Sequence, residues 1–241
     1  GRARAEAAAA NALRPPPNGF VEELASIAWL PVYGRSPNDL LPWKVPGPNS
    51  LQEPVVVAAP CSSRPESEQW FCSLRLGVLE GDVKSRSLKR AFGWDRPIPG
   101  LVLAVQLVSL SIKFEKLTMV SQKAEMKRKL AAVTPEIYNN LDLLVDSQEF
   151  AQVKATLTGR DWLWVGDKFL GSNRVAFKVP VAAGNMLRSV PAELRGYETL
   201  LSALGVPKEF SPEDFVEVLR GMEAQCRGRP LDSEALATAV G

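Results

Sequence analysis

Histidine is absent from all 241 residues. That absence removes from the chain every Ser-His-Asp and Cys-His mechanism, every His-ligated metal and any histidine pH switch. Cysteine is scarce: Cys61, Cys72 and Cys226 are odd in number and show no C-x-x-C spacing. A disulfide framework needs an even and denser set, so the reading is a reducing compartment, the cytoplasm, with the nucleus as the alternative. Three thiols without histidine are a poor structural zinc set. Long apolar runs are missing as well. The longest uncharged stretch, Pro97 to Ile112, has 16 residues and two prolines, too short to span a bilayer.

Charge of one sign is also lacking. Lys and Arg total 29 and Asp and Glu 27, a net charge of +2, so no overall field recruits nucleic acid or an anionic membrane. Neither G-x-x-x-x-G-K-[ST] nor G-x-G-x-x-G occurs, and Gly77 and Gly81 read as turn glycines, not a phosphate cradle. The expectation is therefore a chain without catalytic residues, cofactor or metal: not an enzyme.

What is present is an ordinary apolar fraction of 46% with 23% charged residues, enough for a real core. Residues 1–19 read as a disordered tail, Ala-rich and then stiffened by Pro15-Pro16-Pro17. The chain begins with Gly inside a low-complexity run and reads as a piece of something longer. Residues 20–96 are dense in proline and glycine, which excludes long helices. They are expected to form a mixed, irregular lobe with short strands, the best candidate being Glu53 to Ala59 around Val55-Val56-Val57.

Residues 97–241 turn helical. Leu101 to Ile112 is apolar almost all round, as a buried central helix requires, and Lys113 to Leu130 supplies its outer continuation and a second helix. Thr134-Pro135-Glu136 carries a helix N-terminal signal, with Thr as cap and Pro in the first turn. It would open a helix with Ile137, Tyr138, Leu141, Leu144 and Val145 on one face. Ser147 restarts a short helix with Phe150, Val153 and Leu157 inward, stopped by Gly159. Between Asp161 and Val179 the period drops to two: Trp162 and Trp164 alternate with Leu163 and Val165, and Val175, Phe177 and Val179 with Ala176 and Lys178. A β-hairpin or a pair of short strands is expected there, turned by Gly166-Asp167. Pro191 opens a helix carrying Leu194, Tyr197, Leu200, Leu201 and Leu204, with Gly205 as its stop. Ser211-Pro212-Glu213-Asp214 is close to a capping box, and a last helix starts at Asp232. The fold class is α+β, mainly helical, with a β-hairpin and a Pro-rich mixed N-terminal lobe.

Each candidate for chemistry has a plainer reading. Glu22-Glu23 and Glu213-Asp214 are adjacent acids, the latter suited to a helix first turn. Asp142 and Asp146, four apart on one expected helix, read as a solvated face because no further oxygen ligands stand at fixed spacing after them. Cys72 reads as a small core residue. Two windows are basic: Lys84 to Arg96 with five positive and one negative residue, and Lys113 to Lys129 with six and two. Glu193 to Glu223 is the reverse, three against seven, which suggests self-association or packing on a neighbouring segment. Trp29, Trp43, Trp70, Trp94, Trp162 and Trp164 could build a peptide-binding surface or fill cores, the commoner use.

Particular strings resemble a known family. Trp29-Leu30-Pro31-Val32, Leu41-Pro42-Trp43-Lys44 and Phe92-Gly93-Trp94-Asp95-Arg96-Pro97 resemble the large repeats of sacsin and sacsin-like proteins. Trp162-Leu163-Trp164-Val165-Gly166-Asp167-Lys168-Phe169, continuing to Val175-Ala176-Phe177, resembles their most recognisable string. Val190-Pro191 onward resembles the segment C-terminal to that string in those repeats. The order is collinear over residues 27 to 225. The signature residues, which read as structural, are Trp29, Pro31, Trp43, Trp94, Trp162, Trp164, Gly166, Phe169, Val175, Phe177 and Pro191. The resemblance implies the region downstream of a GHKL-type ATPase-like module. It implies a non-catalytic chaperone or co-chaperone segment in protein folding and quality control, whose partners are client proteins or neighbouring modules. The alternatives are a passive spacer in a large repeat protein or, less favoured, a nucleic-acid-contacting module.

Overall fold

The computed structural model describes residues 19–33, 56–65, 70–79, 81, 83–179, 187–216 and 220. Residues 1–18 of the tail expected at 1–19, Trp43, Cys226, the stretch 34–55 and the last helix from Asp232 lie outside the described residues, and Gly19 belongs to a helix and not to a tail. The chain divides into two compact units, Gly1–Pro97 and Ile98–Gly241. The fold is α+β and mainly helical, and every sheet among the described residues has two strands.

The N-terminal unit starts with helix α1, Gly19–Ser26. Strand β1, Leu30–Val32, then pairs antiparallel with β2, Val56–Ala58, in the register Leu30 to Ala58 and Val32 to Val56. Val56 to Ala58 is the strand expected from its β-branched run. A 3₁₀ turn, Pro60–Ser62, leads into β3, Ser63–Arg64, which pairs parallel with β4, Gly77–Val78. An antiparallel bridge from Val32 to Leu79 and a hydrogen bond from the Tyr33 N–H to the Val78 carbonyl (2.9 Å) join the two ladders. Helix α2, Arg86–Ala91, is capped by the Ser85 hydroxyl, which accepts from the Leu88 N–H. It ends in a Schellman motif: Trp94 N–H donates to the Lys89 carbonyl and Gly93 N–H to the Arg90 carbonyl, with Gly93 at φ +72°. Only glycine takes that backbone without a Cβ penalty. The turn drives Trp94 into a core with Leu79 and Phe92, against which Leu24, Leu30 and Val32 pack.

The C-terminal unit is built on α3, Gly100–Glu115, and α4, Val120–Asp142. Helix α3 is buried over most of its circumference, as its composition requires, with Leu103, Leu107 and Leu110 fully inaccessible. Helix α5, Phe150–Leu157, packs against α3 with Phe150, Val153 and Leu157 inward, and the chain turns at Gly159 (φ +70°). The Gly100 N–H donates to a Glu149 carboxylate oxygen, and a Cβ at Gly100 would come within 2.7 Å of Val153 and 2.9 Å of Leu144.

Helix α4 corrects an expectation. Thr134-Pro135 opens no new helix, because α4 runs unbroken through it. The Thr134 hydroxyl donates back to the Leu130 carbonyl (2.8 Å) and caps nothing. Pro135 does deprive the helix of one hydrogen bond. Met126, Leu130 and Val133 before it, and Ile137, Tyr138 and Leu141 after it, are all buried on the same core. That continuous apolar contact outweighs the local stop signal. At its far end α4 stops at Asp142, so Leu144, Val145 and Asp146 fall in a turn rather than on the expected helix. Asp142 and Asp146 therefore do not share a helical face.

After α5 the chain forms β5, Leu163–Trp164, and β6, Phe169–Leu170, an antiparallel pair. The second alternating run does not join them. Strand β7, Val175–Ala176, pairs parallel with β8, Arg188–Ser189. The hairpin expected across Asp161 to Val179 is thus confined to residues 163–170, and the expected pair of short strands is real but takes its partner from further along. From Pro191 the chain winds first as a 3₁₀ segment, Ala192–Tyr197, and only then as helix α6, Glu198–Ala203, with Gly205 at φ +88° after it. At Ser211 the capping box is complete. The Ser211 N–H donates to an Asp214 carboxylate oxygen (2.7 Å), and the Asp214 N–H donates to the Ser211 hydroxyl (3.4 Å). Phe210 and Phe215 meet at 6.1 Å between ring centroids, the staple that accompanies such boxes.

Candidate functional site

The W-x-W-V-G-x-x-F string folds into a hairpin anchored from below by Tyr138 of α4. The Tyr138 hydroxyl donates to the Trp162 carbonyl (3.2 Å) and accepts from the Trp164 N–H (2.8 Å). One phenol thus satisfies two backbone groups that the short strands leave over. Tyr138 is wholly buried, and desolvation raises its pKa above the ordinary phenol value, partly offset by the Trp164 hydrogen bond. Its ring lies edge-on to Trp162 at 6.1 Å.

The turn of the hairpin is closed by Val165 N–H donating to the Lys168 carbonyl (3.0 Å), with Gly166 at φ +95° in its first central position. Glycine-first hairpin turns use that geometry. Either side of the turn, Trp164 and Phe169 pack at 5.0 Å, and both meet Phe114 of α3 edge-on at 5.2 and 6.3 Å. The hairpin is stapled by Arg174 to Asp161 at 2.6 Å, and its turn is tied to β8 by Arg188 to Asp167 at 3.5 Å.

Beside this aromatic wall lies a cleft of about 330 Å³ lined by Phe114 and Glu115 of α3, Lys123 and Lys127 of α4, and Asp167, Lys168 and Phe169 of the hairpin. Three ammonium groups and two carboxylates give it mixed charge with a positive surplus. The sequence places Lys123 and Lys127 in a basic window without showing that they face the hairpin turn. Their four-residue spacing is the available signal.

The signature residues divide. Trp94, Trp162, Trp164, Phe169 and Val175 are buried, Phe177 and Pro191 are half-buried, and Trp29 and Pro31 are exposed. The Trp94 indole N–H donates to the Pro60 carbonyl (3.0 Å) and the Trp29 indole N–H to the Leu24 carbonyl (2.9 Å). Cys61 is exposed and Cys72 buried. Arg64, which no sequence pattern singles out, is buried, and desolvation lowers its pKa, partly offset by the nearby Cys72 and Cys61 thiols. Among the described residues no three His, Cys, Asp or Glu side chains gather as a metal site, and no helix is long and apolar enough to cross a membrane.

The N-terminal unit carries the other notable surface. Phe20, Ile27, Trp29, Val56 and Val57 are large, apolar and exposed, from 43% at Trp29 to 67% at Phe20. Consecutive strand residues point to opposite faces, so exposure of both Val56 and Val57 leaves both faces of β2 open to solvent.

No family model, no curated protein and no solved structure matches the chain. The resemblance to sacsin-type repeats rests on the tryptophan-, proline- and glycine-bearing strings themselves.

Proposed function

We propose that the chain is a non-catalytic, protein-binding segment of a sacsin-like chaperone or co-chaperone, acting on client or partner proteins in the cytoplasm. The supporting observation is the apolar surface of the N-terminal unit. Phe20, Ile27, Trp29, Val56 and Val57 stay exposed although the core of Leu79, Phe92 and Trp94 lies in the same unit. Aromatic and β-branched side chains held on a short ribbon and an amphipathic helix suit the apolar segments of an incompletely folded client.

The test is light scattering by a heat-denatured client protein with the chain in molar excess. The chain should suppress aggregation, and replacing Phe20, Trp29 and Val57 together by Ser should abolish suppression while leaving the circular dichroism spectrum intact. Unchanged scattering with the wild-type chain, or ATP turnover by it, would overturn the reading. The spacer alternative predicts that the triple variant alters no binding at all.

A further inference from the structure

The elbow between α3 and α4 joins two features that the protein-binding reading leaves unused. At its tip, Met119 is 57% and Val120 83% exposed, and Ile112 across the elbow is 45% exposed. From Ile112 to Arg128 there are five cationic side chains, Lys113, Lys116, Lys123, Lys127 and Arg128, against Glu115 and Glu125. Glu125 is engaged by Lys129 at 2.7 Å. Val120, Lys123 and Lys127 stand at i, i+3 and i+7, hence along one stripe of α4. At 1.5 Å per residue, Lys123 and Lys127 stand about 4.5 and 10.5 Å behind the apolar tip. Lys123 and Lys127 also line the cleft against Phe114 and Phe169, together with Lys168. The first turn of α4 has no side-chain cap and no acidic residue, so its N–H groups add positive potential at the tip.

We infer that this elbow is a docking surface for an anionic lipid bilayer. Its apolar tip enters the headgroup region, and its lysines, with the cleft behind them, take lipid phosphates and carboxylates. The spacing decides for a bilayer over a protein partner. An interfacial element buries its apolar face about 5–10 Å deep, a span comparable to the helical rise of about 4.5–10.5 Å that separates Val120 from Lys123 and Lys127. A stable protein interface of roughly 800 Å² on each partner is enriched in aromatic anchors and depleted in lysine, whereas this elbow presents Ile112, Met119 and Val120 among lysines and no exposed aromatic ring. The overall charge of +2 argues against a long-range field, not against this local one, because screening confines surface electrostatics to within roughly 10 Å.

The experiment is co-sedimentation of the full chain with phosphatidylcholine vesicles, with and without about 30% phosphatidylserine. Binding should require phosphatidylserine and fall steeply with added salt. Charge reversal at Lys123→Glu with Lys127→Glu should weaken it at least about tenfold. Met119→Ser with Val120→Ser should weaken it severalfold without harming the fold, since Ser is a better cap than Met at position 119. Leu143→Ser, equally exposed but at the other end of α4, should change nothing. No binding to phosphatidylserine vesicles would overturn the inference. So would binding indifferent to Met119 and Val120, or binding to soluble poly-L-glutamate matching that to vesicles, which would indicate an acidic protein partner. None of these three results touches the client-binding surface of the N-terminal unit, so the two readings fail separately.

Discussion

The two units use their aromatic residues in opposite ways. In the C-terminal unit Phe114, Tyr138, Trp162, Trp164 and Phe169 are all buried, and each touches another ring of the set. In the N-terminal unit Phe92 and Trp94 are buried while Phe20 and Trp29 stand exposed. Both units have very short strands, so strand length does not explain the difference. Helices do. The hairpin of residues 163–170 lies against α3 and α4, whose apolar faces cover its rings, whereas β1 and β2 have α1, which buries no residue fully. A short ribbon cannot bury both of its faces alone.

The sharpest way to break this contrast is Trp162→Ala. It should cost about 3–5 kcal/mol and lower the melting temperature of the C-terminal unit by many degrees, whereas Trp29→Ala, which removes a half-exposed ring and its bond to Leu24, should cost the N-terminal unit no more than about 1–2 kcal/mol.

Next in size is Tyr138→Phe, which leaves the Trp162 carbonyl and Trp164 N–H without their partner at about 1–3 kcal/mol. It carries a pH signature. Burial raises the folded-state pKa of Tyr138 above 10.0, so the contribution is complete below that value. It is lost as pH climbs above it, where only the unfolded chain releases the proton. Alkaline denaturation followed by circular dichroism should therefore set in earlier for the wild type, relative to its neutral stability, than for Tyr138→Phe.

Pro135→Ala should act in the other direction. It restores a helix N–H in the middle of α4 and should raise stability by about 1–3 kcal/mol. A loss instead would mean that the Tyr197 hydroxyl bond to the Pro135 carbonyl (3.3 Å) depends on the proline ring.

Ser211→Ala removes half of a capping box and should cost about 1 kcal/mol, seen as faster amide exchange at Asp214. Smallest of all, Val57→Thr should shift stability by less than about 0.5 kcal/mol, as expected of an exposed strand residue.

Much of this molecule is local and legible along the chain. The apolar pattern of α3, the i, i+3, i+7 triplet of α5, the Gly205 stop and the Ser211 box can all be read within a few turns of sequence, although the burial of the two helices is tertiary. The errors share a cause. At Thr134-Pro135 a strong local stop signal met a core contact spanning both sides of it. In the second alternating run, residues 175–176 took residues 188–189 as partner, and nothing in the period of a strand says which edge it will find. The candidate cleft was invisible for the same reason: Lys123 and Lys127 belonged to a basic window, but the hairpin they face is some 40 residues away.

The residues by themselves determined the helix faces, the turn glycines and the absence of imidazole chemistry, because propensity, capping and composition act over a few bonds. Only the tertiary structure decided which tryptophans are covered, that one phenol holds the hairpin closed, and where the lysines of the elbow converge. Those outcomes depend on long-range burial, whose summed free energy exceeds any single local signal.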